Sequence, residues 1–184
     1  GLDIRVKRGW ADNELSRYRY DVVIHQTGTS TRSVAGAPVW TWADAQGLRD
    51  ALMSERPTTV RIIDIPHIGQ IDDVRLEAAL TAGRPLADAL SRAAAASEAV
   101  APEELHRLGE DAGYHVAVTY GAQPGTVSAV FIAADGSGGA PVLTDLYVPA
   151  VDAQQRISHA NDPRTNTKIG EVRQRLSAWL PEYM

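Results

Sequence analysis

The sequence predicts an α/β (α+β) domain, a mixed β-sheet with flanking helices. Three observations carry this. Short alternating or β-branched runs recur along the chain, at 2–8, 15–26, 58–66, 114–121 and 126–135. Longer stretches between them, at 40–55, 71–83, 85–99 and 101–113, place apolar residues at helical spacing. The last two strand runs are separated only by A-Q-P-G, a hairpin turn that requires antiparallel pairing in a sheet otherwise fed by strand–helix alternation.

The elements follow in chain order. L-D-I-R-V-K-R (2–8) sets Leu2, Ile4 and Val6 against Asp3, Arg5 and Lys7, a strand with one buried face. A turn over 9–13 leads to a second strand, 15–26. Along it Tyr18, Tyr20, Val22 and Ile24 share the face expected in the core, and Arg17, Arg19, Asp21, Val23 and His25 share the other. The small polar residues of 27–38 read as a loop. Ala45, Leu48, Leu52 and Met53 mark a helix over 40–55, with Thr41 or Asp44 as its cap and Pro57 as its stop. T-T-V-R-I-I-D-I-P (58–66) is apolar on both parities, which fits a central strand. Helices follow at 71–83, closed by Gly83, at 85–99, grading into an Ala-rich linker, and at 101–113. The last has Pro102 in its first turn, Glu103 and Glu104 at its positive end, and Gly113 beyond it. After the hairpin, 135–141 is a flexible turn and 142–150 one more short strand. Residues 151–168 are polar and turn-rich, and 169–183 carry Val172, Leu176, Trp179 and Leu180 at helical spacing before Pro181. This divides the chain into a domain over 1–150 and a linker with a C-terminal helix over 151–184.

The totals bound the function. At 184 residues, 44% apolar and 22% charged, the chain is globular rather than disordered. Its net charge of −5 opposes a dedicated nucleic-acid binder, which needs a basic field. No run reaches the ~20 apolar residues of a membrane span, no signal peptide opens the chain, and there is no cysteine for disulfides, thiolate nucleophiles or Cys-based metal sites. A cytoplasmic domain is expected.

Motifs are sparse. V-F-I-A-A-D-G-S-G-G-A-P (130–141) has the strand, acid and glycines of a nucleotide loop, but Pro141 and a β-type segment follow where a helix N-terminus is needed, so a hairpin turn is expected. His25, His67, His106, His115 and His159 show no metal-ligand spacing, and neither a nucleophile elbow nor a P-loop occurs. Glu103, Glu104, Glu110 and Asp111 are explained by the helix macrodipole and by solvent. His67 stands out mildly, since it follows a strand end, where open sheets place ligands. The polar face Arg17–Arg19–Asp21 fits either a solvated surface or the wall of a cleft that holds phosphate or carboxylate.

I-R-V-K-R-G-W-A-D-N-E-L-S-R-Y-R-Y-D-V-V-I-H (4–25) resembles a segment of the methyltransferase domains embedded in nonribosomal peptide synthetases, through Lys7, Arg8, Gly9, Asn13, Glu14, Leu15, Tyr18, Arg19, Tyr20, Asp21, Val22 and Val23. V-W-T-W-A-D-A-Q-G-L-R-D-A-L, V-R-I-I-D-I-P-H, V-A-P-E-E-L-H-R-L-G-E-D-A-G-Y-H-V-A-V-T-Y and S-A-V-F-I-A continue the likeness in order. H-A-N-D-P-R and L-S-A-W-L-P-E-Y-M resemble the passage back into an adenylation domain's C-terminal subdomain. The resemblance implies the C-terminal part of such a domain, hence an incomplete methyltransferase-like fold. The family's half that binds S-adenosylmethionine precedes this segment, so no cofactor is expected in this chain unless that half is supplied.

Two readings follow. In the first, the chain is a noncatalytic remnant, a domain of unknown activity in a peptide or hybrid polyketide synthase that positions a carrier protein or a neighbouring domain. Carrier proteins are acidic, which makes Lys7, Arg8 and Arg17 their natural contacts, with Arg19 in the same cluster. In the second, it is the substrate-side lobe of a methyltransferase acting on carrier-bound aminoacyl or acyl groups. There Asn13, Glu14, Arg19, Tyr20 and Asp21 line the substrate, with Glu14 or Tyr20 in proton transfer. A cofactor-free proton transfer such as epimerisation is a third, lesser reading.

Overall fold

In the computed structural model, the described residues are 2–149, apart from 11, 12, 14–16, 27, 96–98, 137 and 138. They belong to one compact unit, Gly1–Ala150. The linker and helix expected over 151–184 lie outside the described residues.

Twelve elements are described: β1 (Leu2–Val6), β2 (Tyr20–Ile24), β3 (Arg32–Ser33), β4 (Val39–Thr41), α1 (Ala45–Glu55), β5 (Thr59–Pro66), α2 (Ile71–Thr81), α3 (Leu86–Ala95), α4 (Pro102–Asp111), β6 (Tyr114–Tyr120), β7 (Thr126–Ala133) and β8 (Leu143–Thr144). The central sheet runs β4-β5-β7-β6. β4 and β5 are parallel, while β7 is antiparallel to both β5 and β6, so the sheet is mixed, as the sequence predicts. The β6–β7 hairpin closes at Gly125, whose φ of 74° lies in the region glycine favours.

Each face of this sheet has its own core. Val60, Ile62, Val118, Ala129 and Phe131 meet Leu48 and Leu52 of α1 and Leu105 and Leu108 of α4. Ala117, Val130 and Ile132, of opposite parity, meet Val34, Leu143 and Leu146 around the parallel β3–β8 pair. A register shift between Ile62 and Ile65, with Asp64 at φ 61°, returns Ile65 to the face of Val60 and Ile62. Such a bulge adds one residue and restores the alternation the core requires.

Local chemistry sets the helix ends. Asp44 caps α1, accepting the Gly47 N–H at 2.7 Å. Glu104 reaches back to the Ala101 N–H at 3.2 Å and so closes the start of α4. Gly109 lets α4 approach the sheet, because a Cβ there would stand 2.1 Å from Val116 Cγ2.

Expectations need correction on four points: a helix start, the extent of two strands, a turn and the buried face of a ribbon. The helix expected from residue 40 begins at Ala45, because 39–41 pair with β5 as an edge strand. Among the described residues, the strand expected over 15–26 is β at Tyr20–Ile24 alone, and the one over 142–150 at Leu143–Thr144 alone. Residues 135–141 are not a hairpin turn, because the strand after them pairs with β3 and not with β7.

The fourth correction concerns the ribbon formed by β1 and β2 (Leu2 opposite Ile24, Val6 opposite Tyr20). The face expected in the core is largely in solvent: Leu2 is 61% exposed, Tyr20 53%, Val22 48% and Ile24 77%. Only Val6 on this face joins the core. Part of the polar face, Asp3 and His25, turns inward instead, while Lys7, Arg19 and Asp21 stay in solvent. Asp3 is 1% exposed and the His25 side chain 5%, with His25 Nε2 at 3.1 Å from Asp3 Oδ2. Asp3 Oδ1 also accepts the buried Leu146 N–H at 3.2 Å. A buried carboxylate is tolerated when its oxygens are satisfied in this way, and that requirement fixes which face looks in.

Candidate functional site

The ribbon is held by two sets of polar contacts, and these decide what each candidate side chain can do. Thr119 of β6 donates to the Ile4 carbonyl at 2.7 Å, which seats β1 beside the β6 end of the sheet. Arg8 then reaches α4. Its guanidinium grips Glu103 through Nε at 2.5 Å and Nη2 at 3.1 Å, and Glu110 through Nη1 at 2.8 Å. Arg107 adds a contact to Glu103 at 3.2 Å and lies over the Trp10 ring, 5.1 Å from its centroid. The Arg8 hydrogen bond holds the Glu103 carboxyl well down, to about 2, and the two glutamates raise the Arg8 guanidinium. Burial, helped by Arg8, lowers the neighbouring His106. Arg8 is therefore neutralised inside its own domain.

The second set ties the segment before β2 to the start of α2. Tyr18 Oη donates to Asp73 Oδ2 at 3.1 Å, Arg17 Nη1 lies 3.5 Å from the same oxygen, and Gln70 Nε2 donates to the Arg17 carbonyl at 2.5 Å. The Asp73 carboxylate raises the Tyr18 phenol and keeps it a neutral donor. Tyr20 packs edge-on against Tyr120, with centroids 6.3 Å apart, and burial raises the Tyr120 phenol. Asp73, Gln70 and Tyr120 were not singled out by the sequence. Their only signal was position, at a helix start and a strand end.

The remaining candidates spread apart. Asn13 is exposed, and its carbonyl accepts the Arg17 N–H at 2.9 Å. Arg19 and Asp21 are exposed, and Asp21 sits opposite Arg5 in the ladder. Lys7 is exposed. Glu14 lies outside the described residues. Lys7 and Arg19 make no ion pair among the described residues, in contrast to Arg8 and Arg17. His67 is buried at the end of β5, its Nδ1 accepting the Gly69 N–H at 3.2 Å.

Among the described residues, the following concave spaces lie elsewhere. One cavity of about 420 Å³ is bounded by Leu52, Arg56, Asp111 and Tyr114, a second of about 490 Å³ by Arg32, Val34 and Thr59, and a third of about 280 Å³ by Trp40, Trp42, Leu48, Ala51 and Ile62. Among the described residues no three His, Asp or Glu side chains gather to hold a metal, and no helix is long and apolar enough to cross a membrane. The Asp135–Gly136 turn leads into β8, not into a helix. Those residues do not fit a nucleotide-type cofactor, which needs free helix N–H groups after the glycines.

No protein-family model matches the chain. It is similar over its whole length to segments of three synthetases. These are a probable non-canonical nonribosomal peptide synthetase, CymA, of Salinispora arenicola (strain CNS-205), 27% identical over 186 residues; the PF 1022-synthetase of a Rosellinia species, 27% identical over 213 residues; and the beauvericin nonribosomal cyclodepsipeptide synthetase of Beauveria bassiana, 26% identical over 219 residues. The chain spans only 2% of the first and 7% of each of the others.

Proposed function

We propose that this chain is a noncatalytic domain of a nonribosomal peptide assembly line, derived from the C-terminal part of an embedded methyltransferase, and that its work is to dock a carrier protein against the β1–β2 ribbon. The similarity to synthetase segments along the whole chain supports the setting. One observation carries the role: Asn13, Arg19, Tyr20 and Asp21 are all exposed, on or just before the ribbon, and among the described residues they line none of the cavities above. Proton transfer needs a group held within hydrogen-bond reach of the reacting atom, in a site that excludes water. An exposed ribbon offers neither. It offers what an interface needs, an exposed apolar row of Leu2, Ile24, Val22 and Tyr20, with exposed cationic Lys7 and Arg19 just beyond its Val6–Tyr20 end. Arg8 and Arg17 do not serve as contacts in this reading, because Glu103, Glu110 and Asp73 already compensate them.

The test is an NMR titration of the full chain with an acylated carrier protein. Shifts should gather at Lys7, Arg19, Val22 and Ile24. Their absence at high carrier concentration would refute the role.

A second reading, a substrate-side lobe of an S-adenosylmethionine-dependent methyltransferase, draws support from the outer edge of β4, which pairs with no strand among the described residues. Half of a larger sheet would leave such an edge for the missing half to cover. Joining the upstream sequence and measuring methylation of a carrier-bound aminoacyl group separates the two. Methyl transfer that falls with Tyr20→Phe favours the lobe; its absence favours the docking domain.

A further inference from the structure

The cavity of about 490 Å³ lies between β3, the loop that joins it to β4, and the segment that enters β5. Backbone bonds pin its walls. The Arg32 N–H donates to the Val142 carbonyl at 2.8 Å and the Val34 N–H to the Thr144 carbonyl at 3.1 Å, which fixes β3 on β8. The Ala37 N–H donates to the Val34 carbonyl at 3.3 Å and closes a tight turn. The Pro38 carbonyl accepts the Arg61 N–H at 2.8 Å, which ties the end of the loop to β5. Walls that are set before a ligand arrives spare the cost of ordering them.

Arg32 is the one charged residue of this lining, so a cation and no acid face the hollow. Its guanidinium donates through Nη2 to Thr59 Oγ1, which steadies it, and it makes no ion pair among the described residues. Arg8, Arg17, Arg49, Arg84 and Arg107, by contrast, each meet a carboxylate. Two backbone donors join Arg32. The N–H groups of Gly36, inside the turn, and of Thr58, just ahead of β5, meet no acceptor among the described residues. Arg32, Gly36 and Thr58 are all exposed, so a ligand can reach each of them. A Cβ at Gly36 would meet nothing within 4 Å, which leaves the turn uncovered. A guanidinium beside unpaired turn N–H groups in a concavity is an arrangement that binds anions.

We propose that this cavity binds the phosphate group of a small phosphate ester. The Arg32 guanidinium and the Gly36 and Thr58 N–H groups donate to its oxygens, and Ala37, Pro38 and Pro57 wall the path of its carbon chain. Three separate donor groups are more than the two oxygens of a carboxylate require, whereas a phosphate ester presents three strong acceptor oxygens. The volume lies within the range of small-molecule sites and exceeds what a bare phosphate fills, which leaves room for the organic part. None of these residues belongs to the ribbon, and the proposal stands whether or not the ribbon docks a carrier.

The experiment titrates the ¹⁵N-labelled full chain, near neutral pH and at constant ionic strength, with propyl phosphate, inorganic phosphate and butyrate in separate series. The expected result is a saturable shift of the Gly36 and Thr58 amides and of the Arg32 Nε–H signal, with Kd for propyl phosphate in the millimolar range or tighter. Propyl phosphate should bind at least as tightly as inorganic phosphate, and butyrate at least tenfold more weakly. Arg32→Gln, at an exposed position and with the indole signals as the check on folding, should weaken binding by tenfold or more. Arg56→Gln, which removes a cation outside this cavity, should leave it within about twofold, as a general effect of charge would not. Signals that stay still at tens of millimolar propyl phosphate would overturn the proposal. So would butyrate or inorganic phosphate binding more tightly than the ester, or binding unchanged in folded Arg32→Gln.

Discussion

Replacing Asp3 by alanine tests whether the inward-facing polar side of the ribbon anchors it. The Asp3 carboxylate is 1% exposed. Its Oδ2 lies 3.1 Å from His25 Nε2, and its Oδ1 accepts the N–H of Leu146, 143 residues away. Hydrogen bonds to a charged group contribute about 1.5–3 kcal/mol each. Truncation also leaves the Leu146 N–H, in a fully buried residue, without its acceptor, at about 1–3 kcal/mol. These contributions overlap, so together they amount to about 3–5 kcal/mol. That is a large share of the ~5–15 kcal/mol by which a domain is stable. Asp3→Ala should therefore lower the unfolding free energy by about 3–5 kcal/mol, and Asp3→Asn, which keeps an acceptor for Leu146, by about 1–2 kcal/mol. Urea unfolding followed by circular dichroism measures the difference, and amide exchange at Leu146 reports it locally. A loss under about 1 kcal/mol for Asp3→Ala, with Leu146 exchange unchanged, would refute the reasoning.

Two further outcomes follow from the same contacts. Glu103 has a folded-state value depressed from 4.5 to about 2 by Arg8, so its stabilising contribution is complete above the unfolded value and is lost as pH falls toward about 2. Glu103→Gln should flatten the stability–pH profile in that window and leave its shape above pH ~5 unchanged, as read by urea midpoints across pH; an unchanged acid limb contradicts the pairing. Gly109→Ala places a Cβ 2.1 Å from Val116 Cγ2 and within 3.2 Å of the Phe131 ring. The clash should outweigh the helix preference of alanine and lower stability by about 1–3 kcal/mol in a thermal melt, whereas a stabilised variant would mean that α4 does not pack as closely as described.

The sequence carried the parts of the fold that depend on neighbouring residues. β5 has a neighbour on each edge, and 58–66 reads as apolar on both parities partly because the bulge at Asp64 brings Ile65 back to the face of Val60 and Ile62. A-Q-P-G read as a hairpin because Gly125 supplies the positive φ. Asp44 was one of two caps considered for α1, and it holds the Gly47 N–H. What failed depends on partners far away in the chain. Alternation along β2 shows that there are two faces, but the inward one is chosen by Asp3 meeting His25 and the Leu146 N–H. β4 went unseen because its three residues extend only by pairing with β5, and the W-A-D that follows reads as a helix start. Among the site residues, the basic cluster was legible as a cluster, but the pairing of Arg8 and Arg17 within the domain was not. Arg8 meets Glu103 across 95 positions, and Arg17 meets Asp73 across 56.

The docking claim stands or falls on which cations matter. Lys7 and Arg19 are exposed without ion pairs among the described residues, whereas Arg8 is held by two glutamates. The most direct measurement is the affinity of the full chain for an acylated carrier protein, compared at one ionic strength between wild type, Lys7→Glu/Arg19→Glu and Arg8→Gln. The account predicts that charge reversal at Lys7 and Arg19 weakens binding by tenfold or more, about 1.4 kcal/mol, and that Arg8→Gln, once shown to be folded, binds within a few-fold of wild type. Binding lost with Arg8→Gln and kept in the Lys7→Glu/Arg19→Glu variant would contradict it.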